Sequence, residues 1–289
     1  MRFRQHKYAI IADIKDMFLK IRIREEDRDA QRFLWRGRNR STNPEEYVMS
    51  SMLFGAKSSP CSALYIKNKN AECYRSKYPA AVNSIINNSY MDDYLDTCDS
   101  LNDACNRVKQ IIEIIKAANF EMHGWASNEP SILKDVHTKN SDSKFIKMNT
   151  GEVSAEKVLG LRWLNNSDEL VFKINNLKIT DELLNGQKVP TKREFLSMIM
   201  SIFDPLGFLT PFTINAKILM QEVWSSGIGW DVKLLKDNFI HWKRWIDGLE
   251  NVKNYRIPRC YQFNYSKIIS IELHIFCDAS SKAYAAVGY

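Results

Sequence analysis

Six cysteines are present in the 289 residues, but no Cys-x-x-Cys pair and no Cys/His spacing suited to zinc. Thiols so placed are expected to be reduced and intracellular, which argues against a zinc module. No stretch approaches the roughly 18 uncharged apolar residues that a membrane helix needs, so no membrane partner is expected. The basic N-terminus leads into an apolar run that Asp13 cuts short, too brief for a secretory leader. Repeats and low-complexity tracts are absent. An EF-hand is excluded as well. Asp92, Asp93, Asp96 and Asp99 crowd one segment, but the mid-loop glycine and the Glu at loop position twelve are missing. A soluble protein, cytoplasmic or nuclear, is the expectation.

What is present supports ordinary cores. The chain is long enough for two domains, and 45% of it is hydrophobic. Its net charge of +7 tilts it slightly toward a phosphate-bearing partner.

The most informative residues are Tyr90-Met91-Asp92-Asp93. Two adjacent carboxylates sit where a strand pair is expected to turn, after Asn87, Asn88 and Ser89 and before the apolar Tyr94-Leu95. Adjacent acids repel, and hard divalent cations relieve the repulsion by taking carboxylate oxygens together with substrate phosphates. Two such ions about 3.5–4 Å apart clamp the attacking and leaving oxygens of a phosphoryl transfer. That arrangement needs another carboxylate, and Asp13 closes the buried-strand-like run Tyr8–Ala12. A lone acid there is costly unless paired or metal-bound. Taken singly, each feature also fits a solvated turn or a cap.

Residues 1–175 read as mixed α/β. Lys20–Arg24 alternates basic and apolar, predicting a strand with one basic face. Ser59-Pro60 opens a helix. Val108, Ile111, Ile112, Ile115 and Ala118 predict an amphipathic helix capped by Ser100 or Asp103. Val158–Trp163 and Leu170–Ile174 flank Asn165–Asp168 as a hairpin. Thr191 and Glu194 form a capping box, Asp204-Pro205 breaks that helix, and Thr210-Pro211 starts the next. Asp231 is placed to cap a third helix carrying Leu234, Leu235, Phe239, Trp242, Trp245 and Leu249, a stripe read as core. Alternation from Ile269 to Cys277 predicts a final strand closed by Asp278.

In this order, Ala12–Phe18, Lys20–Trp35, Leu53–Pro60, Tyr90–Asp93, Trp125–Asn128, Leu159–Trp163, Ile202–Gly207 and Phe276–Ser280 resemble landmarks of the reverse transcriptases of long-terminal-repeat retrotransposons, most closely the BEL/Pao group. The resemblance implies an α/β (α+β) fold: a polymerase palm with an antiparallel sheet and packed helices over 1–175, a helical thumb/connection over 176–258, and a truncated ribonuclease H-like strand pair over 266–289. It implies RNA-directed DNA polymerase activity, with Asp13, Asp92 and Asp93 as catalytic and metal-binding residues for two Mg²⁺ ions, Mn²⁺ being the alternative. Phe18, Gly55, Lys57, Tyr90 and Met91 would bind nucleotide, Phe18 as a steric gate against a 2′-hydroxyl. Leu159, Gly160 and Trp163 would grip the primer, and Asp278 would be a vestigial ribonuclease H acid. The implied partners are a primed RNA or DNA template, deoxynucleoside triphosphates and the rest of a retrotransposon polyprotein, and the implied setting is a cytoplasmic virus-like particle or the nucleus.

Three departures from that pattern shape the expectations. The fingers that would hold the triphosphate are expected to be missing, so the isolated chain is expected to be inactive; His123-Gly124 replaces a basic residue before Trp125; and too little follows Asp278 for ribonuclease H activity. The alternatives are an inactive remnant that retains nucleic-acid binding and an unrelated interaction protein.

Overall fold

A computed structural model describes residues 2–137, 155–158, 160–172, 180–261 and 268–289. The chain forms two compact units, one comprising Met1–Glu152 with Cys260–Ser266, the other Val153–Arg259 with Lys267–Tyr289. Its class is mixed α/β with antiparallel sheets, as expected from the sequence.

In the first unit the elements run β1 (Tyr8–Ile14), β2 (Arg32–Trp35), β3 (Glu45–Val48), α1 (Ser59–Glu72), α2 (Pro79–Asn87), β4 (Ser89–Tyr90), β5 (Asp93–Cys98), α3 (Leu101–Ala117), β6 (Met122–Ser127) and the short α4 (Lys134–His137). One sheet has the order β4-β5-β1-β6, antiparallel throughout. Successive strand residues face opposite sides. Ile10, Ala12, Ile14, Tyr94 and Cys98 therefore join one core with residues of the helices, including Ala63, Val82, Ile85, Val108, Ile111 and Ile115. Asp13 and Asp93 take the other face. Helix α3 follows its predicted stripe, and Ser100 caps it by accepting from the backbone N–H of Asp103 at 3.1 Å.

The strand expected over Lys20–Arg24 is not formed. Phe18–Lys20 is a 3₁₀ turn, and Arg22–Ser51 is an isolated bridge. The alternation reflects burial of Ile21 rather than a continuous ladder.

The second unit holds β7 (Ala155–Val158), β8 (Leu161–Leu164), β9 (Glu169–Val171), α5 (Asp181–Leu184), α6 (Lys192–Ser201), α7 (Thr210–Ser225), α8 (Lys236–Asp247), α9 (Leu249–Lys253), β10 (Arg256–Pro258), β11 (Ile275–Ala279) and β12 (Tyr284–Gly288). The hairpin around Asn165–Asp168 forms within a sheet of order β10-β9-β8-β7. Both halves of the Thr191/Glu194 capping box are made. Asp204 accepts from the backbone N–H groups of Phe208 (3.0 Å) and Leu209 (2.7 Å), ordering the approach to α7. Leu234, Trp242, Trp245 and Leu249 are buried, so the tryptophan stripe is core, but Leu235, read as part of it, is exposed.

Two expectations fail here. Asp231 does not cap α8, whose first flanking residue is Leu235; it binds Arg193 at 2.8 Å instead. Asp278 does not close the last strand but lies within β11, opposite Ala285. That strand starts only at Ile275, and β11 and β12 form an exposed two-stranded sheet.

Candidate active site

The site is assembled by register. Pairing of β1 with β5 sets Asp13 directly opposite Asp93, and pairing of β4 with β5 sets Tyr90 opposite Asp93. Met91 and Asp92 are then the two residues of a hairpin turn. Its tightness demands a left-handed residue, and Met91 takes that conformation at φ +57° although it is not glycine. Ile14 donates its backbone N–H to the carbonyl of Asp92 at 2.9 Å, locking the turn to the end of β1. Carboxylates from two distant stretches of the sequence thus gather at one end of the sheet.

Their electrostatics are those of an unneutralised cluster. Partial burial raises the Asp13 carboxyl above its ordinary pKa; the Asp92 charge adds to this and His123 opposes it. Burial likewise raises Asp93, reinforced by Asp92 and Asp13. A free carboxylate near others binds its proton more tightly because ionising it brings like charges together.

Opposite Asp13 on the other side of β1 lies His123, its Nε2 3.1 Å from Asp13 Oδ1. A bulge makes this possible. The β1–β6 register shifts between Ile11 and Asp13, and Gly124 takes φ +63° within the shift. The extra residue lets Met122 and Trp125 both reach the core while His123 stays beside the acid. Past the bulge, Ser127 Oγ donates to the Ala9 carbonyl at 2.7 Å, and the Asn128 side chain accepts from Ala9 N–H at 2.8 Å. The Trp125–Asn128 landmark is therefore a fastening of β6 to β1.

The other candidate residues of this unit separate into buried and open ones. Phe18 is 8% exposed and meets the ring of Phe54 edge-on at 4.8 Å, so it is part of the core with one contact to a surface aromatic. Gly55 adopts φ +90° with open space where a side chain would stand, and Lys57 is exposed beside it. Tyr90 is exposed, whereas Met91 packs against the core.

In the second unit, Leu159 lies outside the described residues. Gly160, at φ +85°, lies against an exposed ring: a Cβ there would stand 2.3 Å from the Phe203 ring unless that side chain turned aside. Trp163 is fully buried, and its indole N–H donates to Asp168 at 2.9 Å. It is a core residue, so any part it has in gripping a primer passes through the hairpin it supports.

The sequence reading missed two buried polar assemblies. Asp96, 2% exposed, accepts from Ser84 Oγ (2.6 Å), Tyr94 OH (2.7 Å), Asn88 Nδ2 (2.7 Å), the Thr97 backbone N–H (2.8 Å) and Arg107 (2.8 Å). In the second unit, fully buried Arg259 grips Asp168 through Nε–Oδ1 at 2.6 Å and Nη2–Oδ2 at 2.8 Å. Only the three-dimensional fold brings Ser84, Asn88 and Arg107 to Asp96 and Arg259 to Asp168, so no local spacing announces these pairings.

Among the described residues, no three His, Cys, Asp or Glu side chains form a ready-made metal cage. The donors of Asp13, Asp92 and Asp93 are all hard carboxylate oxygens, and their mutual repulsion lacks a full counter-charge. That set fits Mg²⁺ or Mn²⁺, whose coordination is completed by water and substrate phosphates.

Comparison with protein families gives two matches. Residues 1–124 match the family described as reverse transcriptase (RNA-dependent DNA polymerase). Residues 191–289 match the one described as Pao retrotransposon-like RNaseH-like domain. No curated protein matches the chain. The first match takes in Asp13, Asp92, Asp93 and His123; the second takes in Asp278.

Proposed function

Because the chain belongs to the reverse transcriptases of Pao-type retrotransposons, joining a reverse transcriptase domain to an RNaseH-like one, we propose that Asp13, Asp92 and Asp93 are its nucleotidyl-transfer site. The family acts on nucleic acid and nucleotides and generally uses divalent metals. The single observation that carries the proposal is the pairing of Asp13 with Asp93 beside the Met91-Asp92 turn. Within that reading, the substrates are a primed RNA or DNA template and deoxynucleoside triphosphates.

Asp13 and Asp92 would hold two Mg²⁺ ions, with Asp93 completing the acidic cluster. Bound there, such ions supply a lowered pKa at the primer 3′-hydroxyl and a counter-charge for the triphosphate. The chain's own groups do the positioning. His123 orients Asp13 from the neighbouring strand. Phe18 would act against a 2′-hydroxyl from beneath the exposed Phe54 ring that covers it, while Gly55 leaves room for backbone approach and Lys57 offers a cation to phosphate. Exposed Tyr90 would meet the primer end, with Met91 fixing the turn beneath it. Gly160 and Trp163 would serve the primer indirectly, by shaping the β8 hairpin.

The test is templated extension of a primer with Mg²⁺ or Mn²⁺, comparing wild type with Asp92→Asn. Extension by wild type with a loss of about 10³-fold in the variant would carry the proposal and overturn the expectation that the isolated chain is inactive. Salt-sensitive duplex binding with no extension in either would assign the inactive, binding-only alternative.

A further inference from the structure

Strands β2 and β3 form a two-stranded ribbon of their own, and every residue in them is exposed. Isolated ribbons are marginal in water, and this one spends its surface on apolar groups. Its register sets Phe33 opposite Tyr47, with rings stacked at 5.8 Å and 24°. Trp35, 58% exposed, lies on the same face by strand alternation.

The connecting loop, residues 36–44, reads Arg-Gly-Arg-Asn-Arg-Ser-Thr-Asn-Pro: three arginines and no acid. Arg36 donates to the Arg40 carbonyl at 3.0 Å, and the Asn39 side chain accepts from Ser41 N–H at 3.1 Å and Ser41 Oγ at 2.6 Å, so the tip folds on itself. The acids at the root of the loop are engaged within the ribbon: Glu46 accepts from Arg32, and Glu45 from the Tyr47 hydroxyl at 2.8 Å. Arg38 and Arg40 have no acidic partner among the described residues. The ribbon's legs are joined by Met52 N–H to the Ile21 carbonyl (2.9 Å) and Ile23 N–H to the Ser50 carbonyl (3.0 Å). Beyond these bonds they continue into the segments that carry Asp13 and Gly55.

We propose that this ribbon is an arm that binds single-stranded nucleic acid, with bases stacking on Phe33, Trp35 and Tyr47 and phosphates meeting Arg36, Arg38 and Arg40. The choice of nucleic acid as partner rests on the reverse transcriptase reading. Charge complementarity favours it over a protein surface, since exposed aromatic faces beside unopposed guanidinium groups match a base-and-phosphate strand. A paired duplex hides its base faces, so the partner is single-stranded.

The test is fluorescence anisotropy of a labelled oligothymidylate with EDTA present, across a salt series, which keeps it independent of the acids. With Arg36, Arg38 and Arg40 all changed to Gln, the slope of log K against log salt is expected to fall by about 2, from about 0.7 per lost phosphate contact. Trp35→Ala is expected to weaken binding by about 5- to 150-fold at fixed salt while leaving the slope unchanged. Circular dichroism checks the folding of each variant, and Arg38→Gln alone, with a slope decrease of about 0.7, serves if the triple variant does not fold. Wild-type affinity and slope in the variants, or no binding by wild type, would overturn the proposal. So would a Trp35→Ala change that abolishes self-association and leaves oligonucleotide affinity intact. Extension activity with unaltered binding in these variants would remove the arm and leave the proposed active site standing.

Discussion

Strand β5 carries two acids, Asp93 and Asp96, on opposite faces of one sheet. Asp96 points into the helix-covered side and is nearly inaccessible, yet five donors surround it. Burial, with the Asp96 charge behind it, pushes the Tyr94 phenol far up, so this hydroxyl stays protonated and donates. Asp93 is less buried, but the charges nearest it are those of Asp92 and Asp13, and its carboxyl is raised. Depth in the fold is therefore a poor guide to what an acid does. A buried carboxylate with every lone pair engaged is architecture, whereas a half-exposed one facing its own kind carries a repulsion that a divalent cation would relieve.

The sharpest way to break this contrast is to remove Asp96. Asp96→Ala leaves Arg107 without its buried partner, and unfolding in urea is expected to show a loss of about 3–5 kcal/mol. Asp93→Asn should cost nothing of the kind. Equal stability of the two variants would erase the distinction.

The second unit allows a comparable test of packing against ligand approach at Gly160. Gly160→Ala should destabilise by about 2–4 kcal/mol, through the clash with Phe203 and the left-handed backbone. Adding Phe203→Leu should recover the part due to the clash. If Gly160→Ala melts like wild type and only duplex affinity falls, the glycine serves nucleic acid and not Phe203.

A smaller effect is expected from cation binding on the open face. Mg²⁺ or Mn²⁺ at a hundredfold excess over Kd should stabilise wild type by about 2.7 kcal/mol, and Asp13→Asn should lose most of this. A melting curve indifferent to either ion would remove the metal site.

The least effect concerns pH. Asp13 and Asp93 have folded-state pKa values above their unfolded ones, so the native state holds these protons more tightly. Their contribution favours folding below the ordinary carboxylate range and is lost as pH rises through the raised values. Above that window Asp93→Asn should be the more stable protein, by less than about 1 kcal/mol after solvent screening. A variant whose stability tracks wild type at every pH would contradict this.

What the sequence disclosed was what lies close along the chain. Of the two caps read for α3, Ser100 takes the role with Asp103 one turn on, and the Thr191–Glu194 box formed as read. The Asp13 and Asp92-Asp93 pairing was legible because apolar strands lead into or out of each. Arg259 and Asp168, by contrast, are 91 positions apart, and nothing local marks either as buried. Alternation misled at Lys20–Arg24 because it reports which side is covered, not whether a neighbouring strand is present to bond. Asp231 misled because a cap competes with other partners, here the Arg193 guanidinium. Trp163 matched a landmark of sequence, but its burial could be read only from the fold.

The fastening of β6 to β1 joins residues 118 and 119 positions apart. Loops of that span close slowly, since their entropy is spent before any contact rewards it. On a ribosome, Asp13 emerges long before β5 and β6 exist, so a nascent chain holds its acids dispersed. The proposed metal site is thus switched on by completion of the domain, and an unfinished chain presents no gathered charge to capture a cation.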